Sequence, residues 1–231
     1  MNYLAIDAST EACSVALKFN NQTTSLYELC PQSHSLRLLP MVDQVLKEAG
    51  CKLSQLDGLI FGQGPGSFTG VRIGIGVAQG LAFSADLPLV GVSTLQTMAQ
   101  VAFEKNQQTK VIAAIDARMS EVYTGYFVLD GNNIMQAQLA EAVLPPSECA
   151  SHYEALTLAE YGVGTGWDAY QNELNTLKTN EGSPEILFPQ ALAMLAIGEQ
   201  GFKEGKSVCA EDAQPVYVRD TVSWKKLPGR E

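Results

Sequence analysis

Phosphate chemistry is the first possibility this chain raises, through the run Gly64-Pro65-Gly66-Ser67-Phe68-Thr69-Gly70-Val71-Arg72-Ile73-Gly74. A phosphate-cradling loop needs free backbone amides, a Lys and a hydroxyl for charge and Mg²⁺. No Lys follows Gly70 and the Walker spacing fails, so a sharp strand-to-helix turn capped by Ser67 or Thr69 is the stronger reading and an anion site the weaker. Two further turns, Asp7-Ala8-Ser9-Thr10 and Asp116-Ala117-Arg118-Met119, keep the Asp of an ATPase phosphate turn but lack the glycine that admits a phosphate. Asp7, Ser9, Thr10 and Asp116 are therefore degenerate phosphate-loop positions, and hydrolysis of ATP by this chain alone is not expected. Metal and nucleophile chemistry are weaker still. Leu38 stands four residues after His34, the other histidine is His152, Ser67 is not in a G-x-S-x-G elbow, and no Cys-His signature or CxxC pair occurs. No catalytic residue and no metal ligand is assigned.

The elements around these residues carry more information. From Phe68 to Ala85 the one charged residue is Arg72, so this helix needs cover on most sides, yet its apolar run is shorter than the ~18 residues a membrane span requires. Gly70, Gly74, Gly76 and Gly80 each cost about 0.8–1 kcal/mol relative to Ala, a cost that close approach of another backbone would offset. The spacing predicts an earlier helix over 33–49. Its stripe of Leu38, Met41, Val42, Val45 and Ala49 is widened by Leu36, Leu39 and Leu46, and Pro40 should kink it near Leu36. Such a helix is either sandwiched within its own domain or shared with a partner. Arg72 is expected near a seam between proteins or paired with Asp7 or Asp57.

Two apolar strands end alike, at Ile6-Asp7-Ala8 and Ile115-Asp116-Ala117, and each precedes two more strand-like runs, which implies an internal duplication. In the first half these are 14–19 and 23–30, then strand 58–61, the glycine helix, strand 87–92 and helix 94–104. The second half reads as strands to 129 and over 134–141, a helix after Pro145-Pro146, strand 158–162, and helices near 167–177 and over 190–203. Three antiparallel strands, helix, strand, helix, strand is the ribonuclease H-like order. The expected fold is α/β, two tandem ribonuclease H-like subdomains in an actin-like ATPase architecture, held by analogy. The boundaries fall at 1–105, 106–218 and a tail at 219–231, with helix 190–204 able to pack back on the first half.

Composition is that of a folded protein, with 46% hydrophobic and 17% charged residues. A formal charge of -10 argues against direct capture of nucleic acid, except at the basic tail carrying Arg219, Lys225, Lys226 and Arg230. Five widely spaced cysteines and an N-terminus without a basic leader lead us to expect reduced thiols and a cytoplasmic protein.

The segments 7–17, His34-Ser35-Leu36-Arg37-Leu38-Leu39-Pro40, 64–74 and Pro215-Val216-Tyr217-Val218-Arg219 closely resemble the bacterial TsaB (YeaZ) family. The resemblance implies a non-catalytic subunit of the machinery that places threonylcarbamoyl on the adenosine beside the anticodon in tRNAs reading codons that begin with A. It implies as partners a TsaD-like paralogue, which is the metal-binding transferase, and a TsaE-like ATPase, with a homodimer when alone and tRNA reached through the complex. No cofactor would be held by the chain itself, ATP or ADP being confined to the junction with partners. His34 without a second histidine argues against a glycoprotease-like metallopeptidase, and a weak nucleotide-binding enzyme is the other alternative. The interface residues expected from the two helices are His34, Leu36, Leu39, Val42, Leu46, Phe68, Gly70, Arg72, Gly74, Val77, Gly80 and Leu81.

Overall fold

The computed structural model describes residues 1–154 and 160–219. In the first half, β1 (Tyr3–Asp7), β2 (Ala12–Phe19) and β3 (Gln22–Leu29) form an antiparallel meander, and β4 (Gly58–Gly64) and β5 (Leu89–Ser93) extend it in parallel, in the order β3-β2-β1-β4-β5. This is the ribonuclease H-like order. Strand β1 is buried along its whole length, as a strand covered on both faces must be.

One face of this sheet carries α1 (His34–Glu48) and α2 (Phe68–Ala85) side by side. Leu38, Met41, Val42 and Val45 from α1, and Val71, Ile75, Ala78 and Ala82 from α2, close over Leu4, Ile6, Val15, Leu17, Leu59 and Phe61. Helix α1 continues through Pro40. The other face is covered by α7 (Ala191–Lys203) from the far end of the chain, whose Ala191, Met194, Leu195 and Ile197 pack on Tyr3, Ala5, Ala16, Ile60 and Val90. Gly198 lets α7 approach, because a Cβ there would sit 2.4 Å from Ile60 Cδ1.

The second half repeats the meander with β6 (Lys110–Asp116) and β7 (Val122–Leu129), and β10 (Tyr161–Val163) joins β6 in parallel. Helix α3 (Thr94–Asn106) packs on this sheet through Leu95, Met98, Ala99 and Ala102 and also touches α7, linking the halves. Two expectations are corrected here. The strand over 134–141 is two short strands, β8 (Met135–Ala137) and β9 (Ala142–Leu144), which pair with opposite ends of β7. Between them Glu141 turns inward to accept a hydrogen bond from Ser93, which breaks the ladder. The helix near 167–177 is broken into α5 (Gly166–Ala169), α6 (Gln171–Leu174) and a 3₁₀ turn, since Tyr170 leaves helical geometry (φ -132°, ψ 46°) while its hydroxyl reaches Asp116. The remaining helix, α4 (Cys149–His152), is a single turn after the two prolines. The strand expected over 158–162 lies partly outside the described residues.

Gly198→Val is expected to lower stability by about 1–3 kcal/mol, because overpacking against the buried Ile60 forces α7 off the sheet. Gly80→Ala, at a position with open space around it, should instead raise stability by up to about 1 kcal/mol through helix propensity. Urea unfolding midpoints of the two variants measure both.

Candidate functional site

The turn after β1 is closed by the chain itself. Asp7 Oδ1 accepts hydrogen bonds from the Ser9 backbone N–H and Oγ, both at 3.0 Å, and Ser9 Oγ accepts from Thr94 Oγ1 at 3.0 Å. The loop after β4 then presses on this turn: the Ser67 N–H donates to the Ser9 carbonyl at 2.7 Å. A Cβ at Gly62 would lie 1.9 Å from Asp7 Oδ2, one at Gly66 2.2 Å from the Ser9 carbonyl oxygen, and one at Gly70 2.2 Å from that of Ala8. Asp7, Ser9 and Thr10 are consequently all buried. Desolvation by burial pushes the Asp7 carboxyl up to about 6, against the opposing pull of the Ser9 hydrogen bonds and of His34. Ser67 caps α2 by accepting from the Gly70 N–H at 3.3 Å, so two of the amides an anion would use are already committed.

A cleft of about 310 Å³ separates this turn from its counterpart in the second half, with Thr10, Glu11 and His34 on one wall and Asp116, Arg118 and Tyr123 on the other. Asp116 accepts from the Arg118 N–H at 2.9 Å, Arg118 Nη1 at 2.8 Å and Tyr170 Oη at 3.1 Å. Arg118 also reaches across to Glu11 at 3.5 Å. Arg118, Met119 and Ser120 all have left-handed backbones (φ 61°, 55° and 59°), which turns the arginine into the cleft over Asp116. Asp7 is thus sealed within its turn, whereas Asp116 lines the cleft with its carboxylate engaged by Arg118 and Tyr170.

The C-terminal segment straps the cleft's outer edge. The Val216 N–H donates to the Gln63 carbonyl at 2.9 Å, and Tyr217 accepts a hydrogen bond from Arg72, whose guanidinium lies 3.3 Å from the Phe68 ring centroid. The expected pairing of Arg72 with Asp7 or Asp57 is thus corrected: Asp7 is sealed off, and Asp57 accepts from the Asn2 N–H at 2.6 Å. Arg219 also differs from expectation. It pairs with Glu121, donates to the Ala117 carbonyl at 3.2 Å and is largely buried, so it is not presented to RNA. Lys225, Lys226 and Arg230 lie outside the described residues.

On the outer face of α1 and α2, Leu36 is 73% exposed, Leu39 48%, Phe68 68% and Phe83 83%. On α2, a Cβ added at Gly76 or Gly80 would meet nothing within 4 Å. Phe83 was not among the expected interface residues, although its spacing from Gly76 and Gly80 continues the same helical stripe. Val42, Gly70 and Gly74 are corrections in the other direction, since all three are buried. Val42 belongs to the core against the sheet, and Gly70 and Gly74 face Ala8 of the same chain, which is the backbone they approach. Leu46, Val77 and Leu81 are partly buried on that core, and His34 is half-buried with Nε2 2.6 Å from the Thr10 carbonyl oxygen.

A family model described as tRNA N6-adenosine threonylcarbamoyltransferase (TsaD) matches residues 22–197. The chain is 50% identical to the tRNA threonylcarbamoyladenosine biosynthesis protein TsaB of Escherichia coli K12, over 100% of both chains, and 44% identical to that of Haemophilus influenzae, over 100% of this chain and 99% of the relative. It belongs to the TsaB family. The solved structure titled YeaZ from Pseudomonas aeruginosa superposes with a TM-score of 0.82 at 43% identity, covering 94% of this chain and 99% of that one. Another, of an uncharacterized protein from that organism with similarity to peptidase YeaZ, reaches 0.87 at 44% identity with the same coverage. These relatives and the sheet order agree on two tandem ribonuclease H-like units of the actin-like ATPase type.

Because the folded Asp7 pKa of about 6 lies above its ordinary value of 3.8, the native state binds the proton more tightly than the unfolded chain. That contribution is fully present below about pH 4 and is lost as pH rises through about 6. Relative to Asp7→Asn, the wild-type TsaB-family chain should therefore gain stability as pH falls from 7 to 4. Paired urea titrations at those pH values check the sign, and a parallel pH dependence of the two proteins would refute it.

Proposed function

We propose that this chain is a non-catalytic subunit of tRNA threonylcarbamoyladenosine synthesis that binds and positions a TsaD-like transferase. The observation that carries this reading is the contrast between two surfaces. Both phosphate-type turns are occupied by the chain's own side chains, whereas α1 and α2 expose Leu36, Leu39, Phe68 and Phe83 around two open glycines. Large apolar side chains gathered on adjoining helices mark a contact surface. Small residues among them let a partner helix come close. The names of the relatives, biosynthesis proteins of this nucleoside, supply the pathway.

On this reading the protein works in the cytoplasm, reaches tRNA through the complex and self-associates by the same face when the transferase is absent. A TsaE-like ATPase completes the assembly, with any ATP or ADP held at the junctions between subunits. Among the described residues no helix is long and apolar enough to cross a membrane.

Leu36→Asp and Phe83→Asp should each abolish co-purification with the TsaD-like paralogue while shifting the chain's own stability by less than about 0.5 kcal/mol, as expected of exposed sites. Retained complex formation would overturn the assigned face. Calorimetry of the isolated chain with Mg-ATP should register no binding. A saturating isotherm abolished by Asp116→Asn would make the chain a nucleotide-binding enzyme instead.

A further inference from the structure

Strands β2 and β3 and helix α1 bring together three ligand-type side chains that no local motif links. Cys13 lies on β2, Cys30 just past the end of β3, and His34 opens α1. Their ligand atoms all lie within 4.8 Å of one another. Two local features produce the arrangement. The β2–β3 register sets Ala12 opposite Leu29, and the Cys30 N–H continues it by donating to the Glu11 carbonyl at 3.0 Å, so Cys13 and Cys30 are diagonal neighbours on one face. The Ser33 N–H then donates to the Cys30 carbonyl at 3.0 Å, a turn that brings His34 back beside Cys30.

A diagonal pair is poorly placed for a disulfide. Cβ atoms across a diagonal are somewhat under ~7–8 Å apart, whereas a disulfide holds them at about 3.5–4.5 Å. A tetrahedral ion is easier to accommodate, since Zn–S bonds of ~2.3 Å and Zn–N bonds of ~2.0 Å place neighbouring ligand atoms roughly 3.3–3.8 Å apart. The imidazole is also prepared for it. The Thr10 carbonyl can only accept, so Nε2 carries the proton in the 2.6 Å contact, and a neutral ring keeps its lone pair on Nδ1. Fixing the tautomer through a backbone carbonyl is the outer-shell device typical of metal-bound histidine. Burial of Cys13 and Cys30 opposes charge at this spot, and the neighbouring carboxyls of Asp7 and Glu28 would offset part of that cost for a bound dication. His34 forms part of the cleft wall, which provides a way in.

We propose that Cys13, Cys30 and His34 bind one Zn²⁺, with the fourth coordination position left to a ligand from the cleft. The ion displaces the thiol protons and ties β2, the end of β3 and the start of α1 together, beneath the helix that exposes Leu36 and Leu39. This site assigns metal ligands where the spacing of histidines alone gave none.

The test uses the full chain, reduced and stripped with a chelator, then titrated with Co²⁺ and afterwards with Zn²⁺. One equivalent of Co²⁺ should produce a thiolate-to-cobalt charge-transfer band that one equivalent of Zn²⁺ abolishes, and Zn²⁺ should raise Tm. Cys13→Ser, Cys30→Ser and His34→Ala should each weaken Zn²⁺ binding at least tenfold. Cys209→Ser, which removes the exposed thiol beside Asp212, should leave it unchanged. No charge-transfer band in the wild type, unchanged Zn²⁺ affinity in Cys13→Ser and Cys30→Ser, or a band lost with Cys209→Ser overturns the proposal. If a ligand variant fails to fold, the wild-type band and its Zn²⁺-dependent Tm still decide.

Discussion

The close approach of the loop after β4 to the turn after β1 sets the geometry of the first half and, through it, of the surfaces around it. Gly62, Gly66 and Gly70 let backbone and carboxylate atoms of Asp7, Ala8 and Ser9 occupy space that any side chain would fill. Hydrogen bonds from Ser67 to Ser9 and from Ser9 to Asp7 then hold the two segments in contact away from water, where such bonds matter most. With the start of α2 fixed in this way, its inner stripe falls on the sheet beside α1.

The two halves are joined at the cleft by a small set of charges and a strap. Arg118 links Asp116 to Glu11 across the gap, and Arg219 links the C-terminal segment to Glu121. The strap's other anchor is Arg72, held between Phe68 and Tyr217. The exposed pairs of Arg118 contribute little stability individually, whereas the Arg219–Glu121 pair is largely shielded from water. Their effect is on register: they bring residues distant in sequence together across the cleft.

A helix such as α2, with almost no charge, can exist in a water-soluble fold only if its faces are divided among neighbours. The sheet takes Val71, Ile75, Ala78 and Ala82, α1 and the core take part of Val77 and Leu81, the C-terminal strap reaches Arg72 and Gln79, and Phe68 and Phe83 remain exposed among the described residues. The glycines divide in the same way. Gly70 and Gly74 face Ala8 of the chain's own turn, while a Cβ at Gly76 or Gly80 would meet only open space.

The order of elements in the first half, the limits of α2 at Phe68 and Ala85 and the doubled Ile-Asp-Ala strand ends were legible in the sequence, because periodicity and glycine or hydroxyl punctuation are local properties. The stripe of α1 that meets the sheet, Leu38, Met41, Val42 and Val45, was legible as well, but not which of the flanking apolar residues the sheet leaves in solvent. Val42 and Leu39 are both apolar and three residues apart, yet one is in the core and the other in solvent, a choice made by the rotation of α1 on β2. Nor did spacing reveal what Gly70 approaches, where Arg72 and Arg219 find their partners, or that Cys13, Cys30 and His34 meet. Each of these depends on strand register and on crossings between segments far apart in the chain, and such contacts acquire definite distances only when the sheet and its helices are assembled.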